Sequence, residues 1–366
     1  MTRDLRVALF ADAYRDYSVE LARELGGHVD LTVIHPLAWG EGIAQRPIDA
    51  QEISFEHSRM RDPRTVISSF QLIRSIAELD VDVLHVQATN NPWINLAFRS
   101  VTLPFPIVQT VHDVVRHPGD RRTPRFGNRA ARSWSDRVDR FIVHTQGLGL
   151  QLEKRWGVPQ ERWSVVPHGE LGSCYREDAE GGPDPVERST NTVLFFGRVW
   201  PYKGLDVLVE ALTMFGADRS TRLVVAGSGE PIAPYVARLP PHIEVEVLDG
   251  YVDRATTLRL FGEATVVCLP YREASQSGVA ALAVGLGVPI VASDVGGIGE
   301  SLRPGTDALL VPPGDPSALA VALTRLLDDS ALRVSMSRHQ AERASTDMSW
   351  SQIAEQTVSV YRSSLG

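Results

Sequence analysis

The sequence predicts an α/β protein of two Rossmann-like domains, each a parallel sheet with helices on both faces. Its 366 residues are too many for one ordinary core and suit two domains of roughly 150 to 200 residues. Short apolar runs alternate with amphipathic helical patterns in both halves, which is the signature of strand–helix–strand crossovers. The alternation breaks once, at a polar stretch carrying Gly181-Gly182-Pro183 and Pro185.

In the first half the apolar runs 6–10, 29–35, 83–87, 107–111, 140–144 and 163–167 are strand candidates, and 19–25, 66–77 and 147–156 have helical spacing. The polar stretch 173–191 is expected to be an interdomain linker, which sets an N-terminal domain at 1–172 and a C-terminal domain at 192–348. In the second half strands are predicted at 192–196, 222–226, 245–248, 266–269 and 289–293. Helices are predicted there at 204–215, 232–238, 254–263, 279–286 and 316–327. Ile353, Val358, Val360 and Tyr361 recur at roughly helical spacing, so a last helix is expected within 349–366. Ligands of such sheets bind beyond the carboxyl ends of the strands, and the residues after each strand are therefore the ones to inspect.

Apolar content of 43% and charged content of 22% are ordinary for a globular protein. No apolar run approaches the roughly 18 to 20 residues of a spanning helix, and Met1-Thr2-Arg3-Asp4 does not open a signal peptide, so a cytoplasmic protein is expected. Cys174 and Cys268 have no metal-ligand spacing around them and read as unpaired thiols. The net charge of −8 argues against nucleic acid as a partner. One run is basic: Arg116, Arg121, Arg122, Arg125, Arg129, Arg132, Arg137 and Arg140 face only three aspartates. It is either a solvated helix face or a surface for an anionic acceptor or membrane leaflet, where each cation contributes about 1 kcal/mol.

Strand 192–196 runs into Gly197-Arg198-Val199-Trp200-Pro201-Tyr202-Lys203-Gly204 and then a helix. An arginine that can fork onto phosphate oxygens and a lysine five residues later, at a strand's carboxyl end, suit a diphosphate. Strand 266–269 leads into Pro270-Tyr271-Arg272-Glu273-Ala274-Ser275-Gln276-Ser277-Gly278-Val279 and a second helix, whose first N–H groups and dipole favour an anion. Glu273 would repel phosphate but can accept hydrogen bonds from sugar hydroxyls; its other reading is a helix-capping acid. There is no P-loop Gly-Lys-Ser/Thr and no metal-ligand cluster, so the expectation is a metal-independent site without a cofactor. In the first half, strand 107–111 ends in His112-Asp113, with His117 close behind. A histidine there is either an ordinary loop residue or a group that orients substrate.

Leu194 to Arg198, Lys203 to Asp206, Leu223 to Gly229, Gly250-Tyr251-Val252 and Pro270 to Gly297 stand in an order and spacing that is highly specific. Over about 190–315 the chain resembles the donor domain of glycosyltransferase family 4, retaining enzymes of the GT-B fold whose two facing Rossmann-like domains enclose a cleft. The first half is similar more loosely. By this resemblance the donor is a nucleotide diphosphate sugar. Gly197, Arg198 and Lys203 hold its diphosphate, together with the N–H groups of Ser277, Gly278 and Val279. Glu273 contacts the transferred sugar, and Tyr251 and Val252 lie at the base. Thr110-Val111-His112-Asp113 sits where family members carry an active-site histidine, which adds His112 to Arg198, Lys203 and Glu273 as expected catalytic residues and Asp113 and His117 as expected acceptor contacts. His168, in Val166-Pro167-His168-Gly169, resembles a domain-junction motif, and the last helix is implied to cross back onto the first domain.

Two departures stand out. The family's second glutamate, eight residues after the first, is replaced by Ala281 or, aligned on Gly287-Val288-Pro289, by Leu282. The usual Gly-Gly loop after the first strand is replaced by Ala11-Asp12-Ala13-Tyr14. The implied reaction is transfer of a hexosyl group from a UDP- or GDP-sugar to a hydroxyl of a saccharide, a lipid-linked saccharide or a small molecule. A non-catalytic sugar-nucleotide binder and a nucleotide-sugar 2-epimerase of the same fold are the alternatives.

Overall fold

The computed structural model describes residues 5–39, 48–56, 62, 64–87, 89, 91–115, 131–176 and 191–366. Among these, the chain forms two compact units: unit 1 runs up to His168 and takes back Trp350–Gly366, and unit 2 is Gly169–Ser349.

Unit 1 alternates β1 (Arg6–Phe10), α1 (Arg15–Gly26), β2 (Asp30–Pro36), β3 (Gln51–Phe55), α2 (Arg64–Ala77), β4 (Val83–Val86), α3 (Pro92–Ser100), β5 (Ile107–Val111), β6 (Arg140–Val143), α4 (Gln146–Trp156) and β7 (Trp163–Val165). The strands are all parallel, in the order β3-β2-β1-β4-β5-β6-β7. Residues of β1, β4, β5 and β6 are almost all buried, as strands covered on both faces must be. β3 was not expected from the sequence. It is an edge strand with three of its five residues exposed, so no apolar run marks it. Helix α3 was also unforeseen, although Asn91 caps it by accepting from Trp93 N at 2.9 Å and Pro92 fills its first turn.

The helix Trp350–Ser364 completes unit 1. It packs on α1, β5 and β6 through Trp350, Ile353, Val358 and Tyr361. Tyr361 anchors it deep in the unit: its hydroxyl is 2.6 Å from Nδ1 of buried His85, while Nε2 of that ring meets Thr110 Oγ1 at 2.8 Å. Burial lowers the His85 pKa to about 3, so the ring stays neutral.

Unit 2 comprises α5 (Gly172–Arg176), β8 (Thr192–Phe196), α6 (Leu205–Thr213), β9 (Thr221–Gly227), α7 (Ala233–Val236), β10 (Ile243–Asp249), α8 (Arg254–Glu263), β11 (Val266–Leu269), α9 (Gly278–Gly285), β12 (Ile290–Ser293), α10 (Gly296–Ser301), β13 (Ala308–Val311), α11 (Pro316–Asp328) and α12 (Ser330–Ser345). Its parallel sheet has the order β10-β9-β8-β11-β12-β13. Successive strand residues point to opposite faces. Val193, Phe195, Val225 and Cys268 join one core layer with α6 and α11, and Leu194, Val224, Val267 and Leu269 join the other with α8 and α9. Helix α12 escaped the sequence reading because it buries only Met336, Gln340 and Arg343, too few apolar residues to set a period.

One expectation shifts. The boundary between units falls at His168 and Gly169, ahead of the polar stretch 173–191. Residues 169–176 are built into unit 2: Glu170 N bonds Met348 O at 2.9 Å, and Leu171 N bonds Ala281 O at 3.3 Å. Residues 177–190, and Arg116, Arg121, Arg122, Arg125 and Arg129 of the basic run, lie outside the described residues. Of the rest of that run, Arg137 donates to Val101 O at 2.7 Å and Arg140 to the carbonyls of Ser363 and Glu161, so these two guanidiniums brace unit 1. No helix among the described residues is long and apolar enough to cross a membrane.

Tyr361→Phe strips the buried His85 ring of one partner, and chemical denaturation should show a loss of about 1–3 kcal/mol. An unchanged midpoint would mean that apolar packing alone holds the last helix.

Candidate active site

Both sheets reverse strand order once, unit 1 between β1 and β4 and unit 2 between β8 and β11. Loops leaving adjacent strands part in opposite directions at such a point, and the crevice beyond the carboxyl ends is where doubly wound sheets hold ligands. The loops picked out in unit 2 from sequence, 197–204 and 270–277, are the two that flank its reversal.

Loop 197–204 is held by backbone contacts that tolerate no side chain. Gly227, at φ 150°, lies where a Cβ would overlap Gly197 O, and Gly197 N bonds Ala226 O at 2.8 Å. Gly204 closes the loop at φ 70°, and a Cβ there would overlap Pro270 O. Arg272 N bonds Tyr202 O at 2.7 Å, tying the two loops together. Arg198 is exposed, with its guanidinium carbon 4.7 Å from the Trp200 ring centroid. Lys203 Nζ lies 3.6 Å from the Tyr271 ring centroid and 5.1 Å from that of Tyr202. A ring face attracts a cation without neutralising it and fixes its direction.

Arg272 is held differently. It forks onto Asp206 at 2.8 and 2.7 Å and donates to Pro201 O at 3.1 Å. The guanidinium holds the Asp206 carboxyl below its ordinary range. Ser277 caps α9 by accepting from Ala280 N at 3.2 Å, and the first N–H groups of this helix, at Gly278 and Val279, have no partner within the helix. A Cβ built on Gly197 would lie 3.4 Å from Val279 Cγ2, so the helix start and the Arg198 loop adjoin. Glu273 is exposed on the same loop. Tyr251, 93% exposed, stands beyond the end of β10 with Val252 half-buried beside it. Ala281 and Leu282, at the place of the missing glutamate, are buried in the core.

At the reversal of unit 1, Thr89 Oγ1 donates to Asp12 Oδ2 at 2.7 Å, from the loop after β4 to the loop after β1. Tyr14 caps α1 at φ 56°, ψ 51°, a left-handed conformation that costs a side-chain residue roughly 1–2 kcal/mol. Its ring stacks on His112 at 3.8 Å, and its hydroxyl bonds Asp113 Oδ2 at 3.3 Å. His112 is 0% exposed. Its Nε2 is 3.1 Å from Gln87 Oε1, and its Nδ1 is 3.1 Å from His144 Nε2. His144 Nδ1 meets Val166 O at 2.9 Å, and Tyr17, His168 and Trp350 pack edge-on around the group. Burial, reinforced by neighbouring histidines, lowers the His112 pKa well below its ordinary value, and burial lowers that of His144 to about 3. Both ring nitrogens of His112 therefore face protein partners. His117 lies outside the described residues.

Sequence reasoning passed over Gln87, His144, Tyr14, Trp200 and Tyr271. Gln87 and His144 directly follow β4 and β6, so position at a strand's carboxyl end was the available signal. Among the described residues no three His, Cys, Asp or Glu side chains are grouped to hold a metal ion.

Residues 16–169 match the model of the Glycosyltransferase Family 4 domain, and 190–329 that of Glycosyl transferases group 1. The chain is 29% identical to a D-inositol 3-phosphate glycosyltransferase of Corynebacterium glutamicum, over 71% of this chain and 67% of that protein. The namesake of Corynebacterium urealyticum is 27% identical over 98% of this chain and 86% of its own length. Several other relatives align over about two thirds of their length. Among solved structures, a glycosyltransferase of Rickettsia africae superposes with a TM-score of 0.74 at 16% identity, covering 100% of this chain and 99% of that one. HepE of Anabaena in complex with UDP-glucose superposes with 0.72 at 17% identity, over 98% and 100%. The likeness to these solved structures is one of fold, that of the GT-B glycosyltransferases.

The Arg272–Asp206 pair gives a pH test of the loop clamp. The Asp206 pKa is lowered on folding, so its stabilisation is present above the unfolded value of about 4 and fades as pH falls through the folded one. Asp206→Asn should cost about 0.5–1 kcal/mol near pH 7, because the pair is partly exposed, and progressively less below about pH 4. A cost that does not vary with pH would show that charge plays no part in the clamp.

Proposed function

Since the chain belongs to glycosyltransferase family 4, we propose that it moves a hexosyl group from a nucleotide diphosphate sugar to an acceptor hydroxyl, retaining the anomeric configuration and requiring no metal ion. The observation that carries this reading is the meeting of the Arg198–Lys203 loop with the start of α9 at the order reversal of the unit 2 sheet. Two fixed cations and a set of helix N–H groups converge on one side of that crevice, which suits the two phosphates of a leaving nucleoside diphosphate. Tyr251 and Val252 take the base, and exposed Glu273 accepts hydrogen bonds from the transferred sugar.

In the reaction the bond between the anomeric carbon and the diphosphate oxygen breaks, and a bond from that carbon to the acceptor oxygen forms on the same face. Negative charge grows on the diphosphate as it leaves, and Arg198, Lys203 and the α9 amides stabilise it without rearranging. The acceptor's proton passes to a departing phosphate oxygen. UDP-sugars are the first donors to try, because the HepE neighbour was solved with UDP-glucose. A phosphorylated polyol or sugar is the first acceptor to try, because the aligned relatives are named for D-inositol 3-phosphate. Saccharides and lipid-linked saccharides are the next class.

Thermal-shift titration with UDP, GDP, dTDP and ADP, without added metal, tests the donor site. One nucleotide should stabilise the chain by about 2.7 kcal/mol at 100 times its dissociation constant, and Arg198→Ala should remove that shift. With donor and acceptor in hand, the same substitution should lower turnover by on the order of 10²- to 10³-fold. No shift with any nucleotide would sink the reading, and binding without transfer would favour a sugar-nucleotide binder in its place.

A further inference from the structure

The hydrogen-bond chain beneath Tyr14 in unit 1 has a direction that valence dictates. A carbonyl oxygen only accepts, so the 2.9 Å contact to Val166 O puts a hydrogen on His144 Nδ1. In a neutral ring His144 Nε2 is then bare, and its partner at 3.1 Å, His112 Nδ1, is the donor. His112 Nε2 is bare in turn, yet the atom 3.1 Å away is Gln87 Oε1, which has no hydrogen either. Gln87 Nε2, with two hydrogens to give, is buried and meets no partner among the described residues. A half-turn of the Gln87 amide exchanges its oxygen and nitrogen and removes the conflict.

Keeping the oxygen against His112 instead requires an imidazolium at His112 or His144. Among the described residues, the rings that face His112 from neighbouring elements include His144, His168, His85, Tyr14 and Tyr17. The nearby carboxylates are engaged elsewhere, Asp113 with Tyr14 and Asp12 with Thr89. An ion buried among these rings would lose its hydration and would be strongly disfavoured.

We propose that Gln87 and His144 are positioning residues that lock His112 as the neutral Nδ1–H tautomer, with Gln87 Nε2–H donating to His112 Nε2. His112 is then a fixed, uncharged wall behind Tyr14 and takes no part in proton transfer. The tautomer stands on geometry alone, and its bearing on sugar transfer rests on the function proposed above.

Two-bond proton–nitrogen correlation spectra of the histidine-labelled full chain read the tautomer directly, with His112 assigned by the signals lost in His112→Gln and shifted in His144→Asn. The expected result is a protonated Nδ1 and a bare Nε2, unchanged over about pH 5.5–8.5, where an unperturbed imidazole would titrate. An Nε2–H tautomer, or titration of His112 within that range, overturns the proposal. Gln87→Glu replaces the donor with a carboxylate, so His112 should become doubly protonated near neutral pH, and the rate of sugar transfer should fall and acquire a new pH dependence. A doubly protonated His112 with an unchanged rate and pH profile would overturn the positioning role. The expected tautomer in a chain that transfers no sugar would uphold the lock and count against the glycosyltransferase reading.

Discussion

Every described strand in both sheets runs parallel to its neighbours, and this constraint orders the rest of the molecule. A parallel strand can be reached only by a crossover, so each strand must be followed by a helix or a long loop, and all the carboxyl ends of a sheet emerge on one edge. The order must reverse somewhere when helices cover both faces, and there the edge opens. Gly197 to Gly204 and Pro270 to Ser277 flank that opening in unit 2; Ala11 to Tyr14, with Gln87, Thr89 and Asn91, flank it in unit 1. The chemistry-bearing side chains of each unit gather there because the topology leaves no other edge where loops diverge.

The two openings are equipped differently. In unit 2 glycines with positive φ let backbone pass against backbone, and the space saved is given to charge: Arg198 over Trp200 and Lys203 over Tyr271. Arg272 shows the alternative on the same loops, a cation matched by Asp206 and so committed to holding the loops in place. Unit 1 has a buried layer of imidazoles where burial defeats ionisation, and one exposed aromatic, Tyr14, kept in a left-handed conformation above it. One edge presents cations, and the other keeps its imidazoles uncharged.

The sequence reading reached the first of these edges and only part of the second. Gly197, Arg198, Lys203 and the start of α9 are near-continuous in sequence with strands whose apolar runs are unmistakable, so position and chemistry could be read together. The His112 environment could not be read this way. Its partners Gln87 and His144 are 25 and 32 residues away and meet it only because β4, β5 and β6 are neighbours in the sheet. Polarity in 173–191 signals exposure and does not by itself mark a joint; the chain passes from unit 1 to unit 2 at His168-Gly169. β3 and α12 were missed for a common reason. Each is supported by few apolar residues, and periodicity has little to act on.

Amide hydrogen exchange with and without a saturating nucleoside diphosphate would test most directly whether the diphosphate sits at the order reversal of unit 2. Slowed exchange should appear at residues 197–204 and at the first amides of α9, Gly278 and Val279, with little change along β12 and β13. Binding that leaves those amides unprotected, or that protects only segments of unit 1, would contradict the assignment of the donor site.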